Sequence, residues 1–470
     1  MKKIVMKFGG TSVATDKGVR RVANIVAESL KKDYRIAVVV SAMAGVTDKL
    51  IEEADRAKEK SEQQIQEFTR KLIKKHMDVA ARAIESKTTL NEVEEKIKQT
   101  ARELEKVLTG ICFVGEITPK SRDYVLSFGE RLSVPIVWAA MRDLGLQTKV
   151  FTGKEVGIVT DSNFGEANPL INVTNHEVNE RIEYMFEKKA VPLITGYNAA
   201  TQDGIVTTLG RGGSDYTATL IGVALSVDEI WIWTDVDGIM TADPKIVPSA
   251  KVLTELSYGE AAELAIFGAK AMHPRALEPV IEKGIPVRIR NVLSPEKPGT
   301  LIAKSQETAS RDVVKAIALI KDVAMVNIKG AAMVGAPGSY SKVFDVLGKN
   351  GVNVMMVSTA VSEANISLII RRKLLSKTLS LLEIALLGTG GLVSEITAED
   401  DVCVIAAMGA NMKGTLGVAA RIFSAISRQE INIRMIAQGS SELNISFVVK
   451  EKDGESAVRA IHKEFKLDKI

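Results

Sequence analysis

The chain has 470 residues, of which 46% are hydrophobic and 26% charged, and its formal net charge is +4. This length suggests two or three domains at about 150 residues each, and the composition excludes disordered and fibrous classes. Lys and Arg are interspersed with Asp and Glu and form no basic stripe, which argues against nucleic acid as a partner.

The opening stretch "MKKIVMKFGG" has too short an apolar run for a signal peptide, and no run reaches the ~18 residues a membrane span needs. The two cysteines, Cys112 and Cys403, lie in apolar stretches and read as small buried residues of a reducing compartment. A cytoplasmic protein with no membrane partner is expected.

Residues Lys3 to Phe8 and Ile36 to Val40 are continuous apolar runs, the signature of strands buried on both faces of a parallel sheet. Between them Val19, Val22, Ala23, Val26 and Leu30 follow helical spacing, so the segment reads as a βαβ unit. Asp48 to Lys106, rich in Glu, Lys, Ala and Leu, predicts two or three long surface helices. Three more buried strands are expected at "AVPLITGY", "EIWIWTDVDG" and "GIPVRIRN". Parallel strands present ligand-binding residues at their carboxyl ends. Five such ends, "KFGGTS", "SAMAG", "TGYN", "TDVDG" and "RIRN", therefore predict a site along one sheet edge.

Beyond Pro298 the chain repeats itself. The segment from Val323 aligns without a gap on the segment from Val402, matching Gly330 with Gly409, Gly338 with Gly417, Phe344 with Phe423, Asn353 with Asn432, and Asn365 with Asn444. Each copy has the strand and helix order of a ferredoxin-like unit.

"KFGGTS" follows the first strand and opens the first helix; its glycines and Lys7 make either an anion site or a plain tight turn. It is not a Walker loop, and "GRGGSD" is not a dinucleotide fingerprint. Within "TTLGRGGSDYTA", Arg211 offers a planar fork to a carboxylate or phosphate, while Ser214 could also be no more than a helix cap. Glu130 beside Arg131 reads first as a surface ion pair. Asp235 and Asp237 could meet a nucleotide, a metal or water, and His273 before Pro274 reads as structural. No cluster has metal-ligand spacing, and no nucleophile triad emerges.

Taken together, "KFGGTS", "SAMAGVT", "SFGERLS", "TTLGRGGSDYTA", "WTDVDGI" with "TADPK", and "FGAKAMHP" occur in the order found in aspartokinases, and the repeated tail resembles their paired ACT domains. The resemblance implies an α/β fold: an amino-acid-kinase (carbamate-kinase-like), mainly parallel sheet flanked by helices over 1–303. Two ferredoxin-like βαββαβ ACT domains, 312–390 and 391–470, would follow. It also implies ATP-dependent phosphorylation of the L-aspartate side-chain carboxylate, with Mg2+ accompanying ATP and no tightly bound cofactor. Lys7, Arg211 and Asp215 would be catalytic. Ser41, Thr47, Glu130, Tyr197, Arg211 and Ser214 would bind aspartate, and Lys7, Gly9, Gly10, Thr234, Asp235, Met240, Lys245 and Lys270 would bind ATP.

Met240, Lys245 and Tyr197 depart from the family's usual Tyr, Arg and Phe, and Lys245 lacks the bidentate fork of arginine, so a modestly lower ATP affinity is expected. An amino-acid effector, lysine or threonine, would contact Met333, Gly338, Ser339, Tyr340 and Val354. The ACT domains would pair into a homo-oligomer, dimer or tetramer. The alternatives are a related kinase for another acid such as glutamate, and an inactive amino-acid-binding regulator.

Overall fold

The computed structural model describes residues 1–267, 272–304, 313–333, 338–359, 365–387 and 393–469. The chain divides into two compact units. The first comprises 1–239, 254–262 and 271–306; the second comprises 240–253, 263–270 and 307–470. Among the described residues no helix is long and apolar enough to cross a membrane.

The first unit is built on strands β1 (Lys3–Phe8), β2 (Arg35–Val40), β3 (Thr148–Phe151), β4 (Val159–Thr160), β5 (Val191–Thr195), β6 (Asn198–Thr201), β7 (Val206–Thr208), β8 (Glu229–Thr234), β9 (Glu255–Ser257), β10 (Val287–Asn291) and β11 (Thr300–Ala303). Eight of them form one sheet in the order β3-β5-β2-β1-β8-β10-β11-β9, while β4-β6-β7 form a small second sheet. In the eight-stranded sheet the run from β3 to β10 is parallel, and among its described pairings only β10/β11 is antiparallel. Ile4, Val5, Met6 and Phe8 are fully buried, as strands covered by helices on both faces must be.

Because β5, β2, β1, β8 and β10 are adjacent and parallel, their carboxyl ends lie along one edge, where the sequence placed its five loops. The expected first helix differs in detail. A short 3₁₀ turn, Gly10–Val13, follows the glycines, and the α-helix begins at Asp16 under a Thr15 cap.

The helices Val46–Arg56, Glu62–Ala83 and Lys87–Val114 occupy the charged segment. They are less superficial than expected: Leu50, Ile65, Leu72, Val93, Ile97 and Leu104 enter the same core as β1 and β2. Their outer faces carry helix-spaced ion pairs such as Lys71–Glu67 at 2.6 Å.

The second unit adds β12 (Ala316–Lys329), β13 (Val354–Thr359), β14 (Asn365–Arg371), β15 (Glu395–Met408), β16 (Met435–Ala437) and β17 (Asn444–Lys450). They form an antiparallel sheet in the order β13-β14-β12-β15-β17-β16. Two 14-residue strands, β12 and β15, run through both copies of the repeat. The latter half of β12 pairs with β14 and with the start of β15, over a core holding Val326, Ile328, Val343, Leu368 and Leu382. The former half, Ala316–Ile320, pairs with the end of β15 and joins the other core, with Ile317, Ile405, Ile422, Phe447 and Ile461. The first strand of this unit thus completes the second copy. The handover falls at a break in register beside Asp322, whose φ of 59° breaks the extended strand. A division into consecutive pieces at 390/391 separates that strand from the core it completes.

Candidate active site

The carboxyl edge of the first unit opens into a cleft of about 620 Å³. Nine residues singled out from the sequence line it: Lys7, Gly10, Ser41, Thr47, Glu130, Tyr197, Arg211, Ser214 and Asp215. Lys7 projects from the end of β1, and its Nζ lies 2.6 Å from Asp215 Oδ1. Asp215 sits in the first turn of the helix Gly213–Ala224, where a negative side chain suits the helix dipole. Ser214 is not the cap of that helix; Gly212 is, with a φ of +73°.

Close backbone approach explains two glycines. A Cβ on Gly10 would stand 2.6 Å from the Ala42 carbonyl oxygen, and one on Gly212 would stand 2.4 Å from His273 Cβ. His273 is therefore a packing residue that seats the arginine loop. The Arg211 side chain is exposed to the cleft with no carboxylate partner among the described residues.

The expectation of a surface pair between Glu130 and Arg131 is wrong. Adjacent helical residues point apart: Arg131 pairs with Glu103 at 2.5 Å, while Glu130 turns inward and is 2% exposed. Glu130 Oε1 accepts the Ala42 N–H at 3.1 Å, and its other oxygen is buried without a partner. Burial pushes the carboxyl up to about 8, against the pull of that hydrogen bond and of the nearby Lys7 charge. A buried carboxylate with one open oxygen is a site for a cationic group.

Gly9 and Thr234 belong to the same edge: the Gly9 N–H donates to the Trp233 carbonyl at 3.3 Å, one residue before Thr234. Of the two acids in "TDVDG", Asp237 is bound to Asn291 at 2.6 Å and Lys297 at 2.7 Å, which makes it a loop staple. Asp235 is exposed. Met240 and Lys245 fall in the second unit, and Lys270 lies outside the described residues.

A family profile for the amino acid kinase family matches residues 2–291, and an ACT-domain profile matches 326–386 and 405–465. Aspartokinase 1 of Arabidopsis thaliana, a chloroplastic protein, is 34% identical over 98% of this chain and 80% of its own length. The chain belongs to the aspartokinases of the amino acid kinase family.

A bifunctional aspartokinase/homoserine dehydrogenase of Zea mays is 33% identical over 99% of this chain, which spans only 51% of that longer protein. Among solved structures, Escherichia coli aspartokinase III in complex with aspartate and ADP is similar with a TM-score of 0.83 and 28% identity, covering 98% of this chain and 99% of that one. The same enzyme with lysine and aspartate gives 0.81 at 28% identity, over 99% and 100%.

The aspartokinase cleft also contains residues that sequence reasoning passed over. Arg122 lines it while holding Asp55 through two bonds of 2.8 and 3.1 Å. Its neighbour Asp123, 1% exposed, accepts from the N–H groups of Gly165 and Thr208 and from the Thr208 hydroxyl at 2.8 to 3.0 Å. Asp123 thereby ties the loop around Gly165 and Glu166 to the strand before the arginine loop. An Arg-Asp pair inside a helix carries no local signal of that task.

In the second unit four of the expected effector residues, Met333, Gly338, Ser339 and Tyr340, gather where the first copy's helix begins, whereas Val354 opens β13 and pairs with Ile370 toward the other end of the sheet. Gly338, with a φ of +83°, caps the helix Ser339–Lys349; Met333 is buried in the copy's core, and Tyr340 and Val354 pack against it. Ser339 Oγ donates to the Met333 carbonyl at 3.4 Å. By the internal repeat, Ser339 and Tyr340 correspond to Val418 and Ala419, which lack both hydroxyls.

Proposed function

We propose that the first unit transfers the γ-phosphoryl group of ATP to the side-chain carboxylate of L-aspartate, giving 4-phospho-L-aspartate and ADP. The observation that carries this reading is the sorting of charge in one cleft. Arg211 and the glycine backbone form an anion subsite, the buried Glu130 a cation subsite, and the Lys7–Asp215 pair a third polar point between strand and helix.

An α-amino acid fits this pattern. Its ammonium meets the open oxygen of Glu130, its α-carboxylate meets Arg211 and Ser214, and Ser41, Thr47 and Tyr197 surround the reacting side chain. A carboxylate is already nucleophilic at neutral pH, so phosphoryl transfer needs positioning and charge neutralisation more than a base. Attack forms a bond from carboxylate oxygen to phosphorus as the bond from phosphorus to the ADP oxygen breaks. Lys7 balances charge on the moving group, and Asp215 fixes the direction of the Lys7 ammonium. Gly9, Gly10, Thr234, Asp235, Met240, Lys245 and Lys270 are assigned to the nucleotide.

Mg2+ enters with ATP and neutralises phosphate charge. Among the described residues no group of three or more His, Cys, Asp or Glu is placed to hold a metal.

Residues 1–303 form the catalytic domain in this reading, and 312–390 and 391–470 the two regulatory copies, linked by the strand exchange. Lysine or threonine, bound at Met333, Gly338, Ser339, Tyr340 and Val354, lowers activity, and the copies assemble a homo-oligomer. Incubation with ATP, Mg2+, aspartate and hydroxylamine tests the reaction: the acyl phosphate is trapped as a hydroxamate in step with ADP. ADP formed without hydroxamate, or equal turnover of glutamate, overturns the assignment.

A further inference from the structure

Three residues of the catalytic cleft, Leu126, Glu130 and Tyr197, are each followed in the chain by a residue that lines a different pocket. Ser127, Arg131 and Asn198 belong to a second cavity of about 460 Å³ in the same unit. Alternate side chains of one helix start and one strand start therefore serve two sites back to back.

The second pocket is cationic. Among the described residues Lys120, Arg131 and Lys154 line it and no carboxylate does, Arg131 being paired with Glu103 behind it. Two acids bonded to its lining residues are already engaged. Glu103 takes the Tyr124 hydroxyl and the Arg131 fork, and Glu155 accepts the Thr152 N–H at 2.7 Å and its hydroxyl at 2.9 Å. Lys120 and Lys154 have no carboxylate partner among the described residues. Lys154 Nζ lies over Gly204, where an added Cβ would stand 2.7 Å from it. The Arg131 guanidinium carbon stands over the Phe128 ring, 4.3 Å from its centroid.

Asn198 supplies the polar group. It is 4% exposed, and its Nδ2 donates to the Ser127 carbonyl at 3.2 Å, which leaves Oδ1 buried and unpartnered. A buried acceptor without a donor is costly. The matching ligand carries negative charge for the cations and an O–H or N–H for this oxygen.

We propose that this pocket is a separate binding site for a small anion bearing a hydrogen-bond donor, and that its occupation is felt in the cleft through the Tyr197–Asn198 step. Tyr197 holds a left-handed φ of 69°, a conformation that a neighbour's ligand can favour or disfavour. Its N–H donates to Thr217 Oγ1 at 3.0 Å, which fixes the backbone on the cleft side of this step.

The test uses hydrogen phosphate as the probe, with sulfate as an anion that lacks the O–H at neutral pH, and calorimetric titration of the full chain. One phosphate per chain is expected to bind to Lys7→Ala as well as to the unaltered protein. It should bind about tenfold more weakly to the Lys120→Ala/Lys154→Ala double variant, because charge-assisted bonds are lost. Sulfate should bind more weakly than phosphate. Phosphate should shift the KM for aspartate in the unaltered enzyme and not in the double variant, whose activity without phosphate stays unchanged. Binding lost in Lys7→Ala and retained in the double variant overturns the site. Equal affinity for sulfate overturns the part given to Asn198, and an unmoved KM overturns the coupling. The calorimetric readout holds whether or not the cleft performs the reaction proposed above.

Discussion

Lys7 Nζ and Asp215 Oδ1 are joined at 2.6 Å, linking the end of the first strand to the first turn of the helix behind the glycine loop. Both side chains are mostly shielded, at 12% and 14% exposure, so water screens the pair only partly. Lys7→Met should lower kcat by about 10³ and Asp215→Asn by about 10², in the range for lost electrostatic stabilisation. The double variant should be little worse than Lys7→Met, because Asp215 acts through the ammonium. Single-turnover rates at saturating substrates measure this, and fully additive losses would separate the two roles.

Glu130 makes the reaction pH dependent. Its carboxyl is raised from 4.5 to about 8 by burial, so the ligand-free fold prefers the protonated acid. Its contribution to stability is complete below the unfolded value near 4.5 and is lost as pH rises toward about 8. Aspartate needs the ionised form. Below about 8 each binding event releases a proton, and kcat/KM for aspartate should fall by up to about tenfold per pH unit. Glu130→Gln should bind aspartate weakly and show a flat profile between pH 6 and 8. A wild-type profile equally flat would remove Glu130 from the ammonium site.

Among the described residues Arg211 has no carboxylate partner. Arg211→Ala should raise the KM for aspartate by about 10- to 100-fold and leave that for ATP within about twofold, the loss expected of a bidentate charge-assisted pair. Arg211→Lys should recover only part, because an ammonium lacks the fork. Initial-rate kinetics with each substrate varied in turn distinguish this from a nucleotide role, in which both constants would rise.

Gly212 is irreplaceable for two separable reasons, its φ of +73° and the 2.4 Å gap to His273. Gly212→Ala should cost about 1–3 kcal/mol from overpacking and about 1 more from backbone strain. Removing the obstacle, which is the His273 Cβ itself, takes His273→Gly, and this should restore the overpacking part and not the strain. Thermal unfolding of the single and double variants reads the coupling directly.

In the second unit, Tyr340→Ala or Ser339→Ala should raise the lysine or threonine concentration for half-inhibition by about tenfold, in keeping with a lost hydrogen-bonded contact. Ala419→Gly in the second copy should leave it unchanged. Activity titrations with each amino acid decide this, and equal effects in the two copies would move the effector site.

The βαβ unit from Lys3 to Val40 is legible because strands buried on both faces must be uniformly apolar and the helix between them must be amphipathic. The repeat is legible because matching glycines and asparagines recur at one spacing. Glu130 is different. "SFGERLS" offers an acid beside a base, and nothing local says that one turns inward while the other finds Glu103. That division depends on Gly129, whose missing side chain lets the helix close on Ala42; a Cβ there would stand 2.8 Å from Ala42 Cβ.

The sequence by itself determined the parallel sheet, the edge that carries the site and the existence of two related copies, since these follow from periodicity and recurring spacing, while the resemblance of its motifs to aspartokinases implied nine residues of the cleft. Only the tertiary structure decided the state of Glu130, the seat of Gly212 against His273, the service of Arg122 and Asp123, and the exchange of Ala316–Ile320 into the second copy. Each of these depends on partners distant in the chain, and burial, charge pairing and strand register exist only once those partners meet.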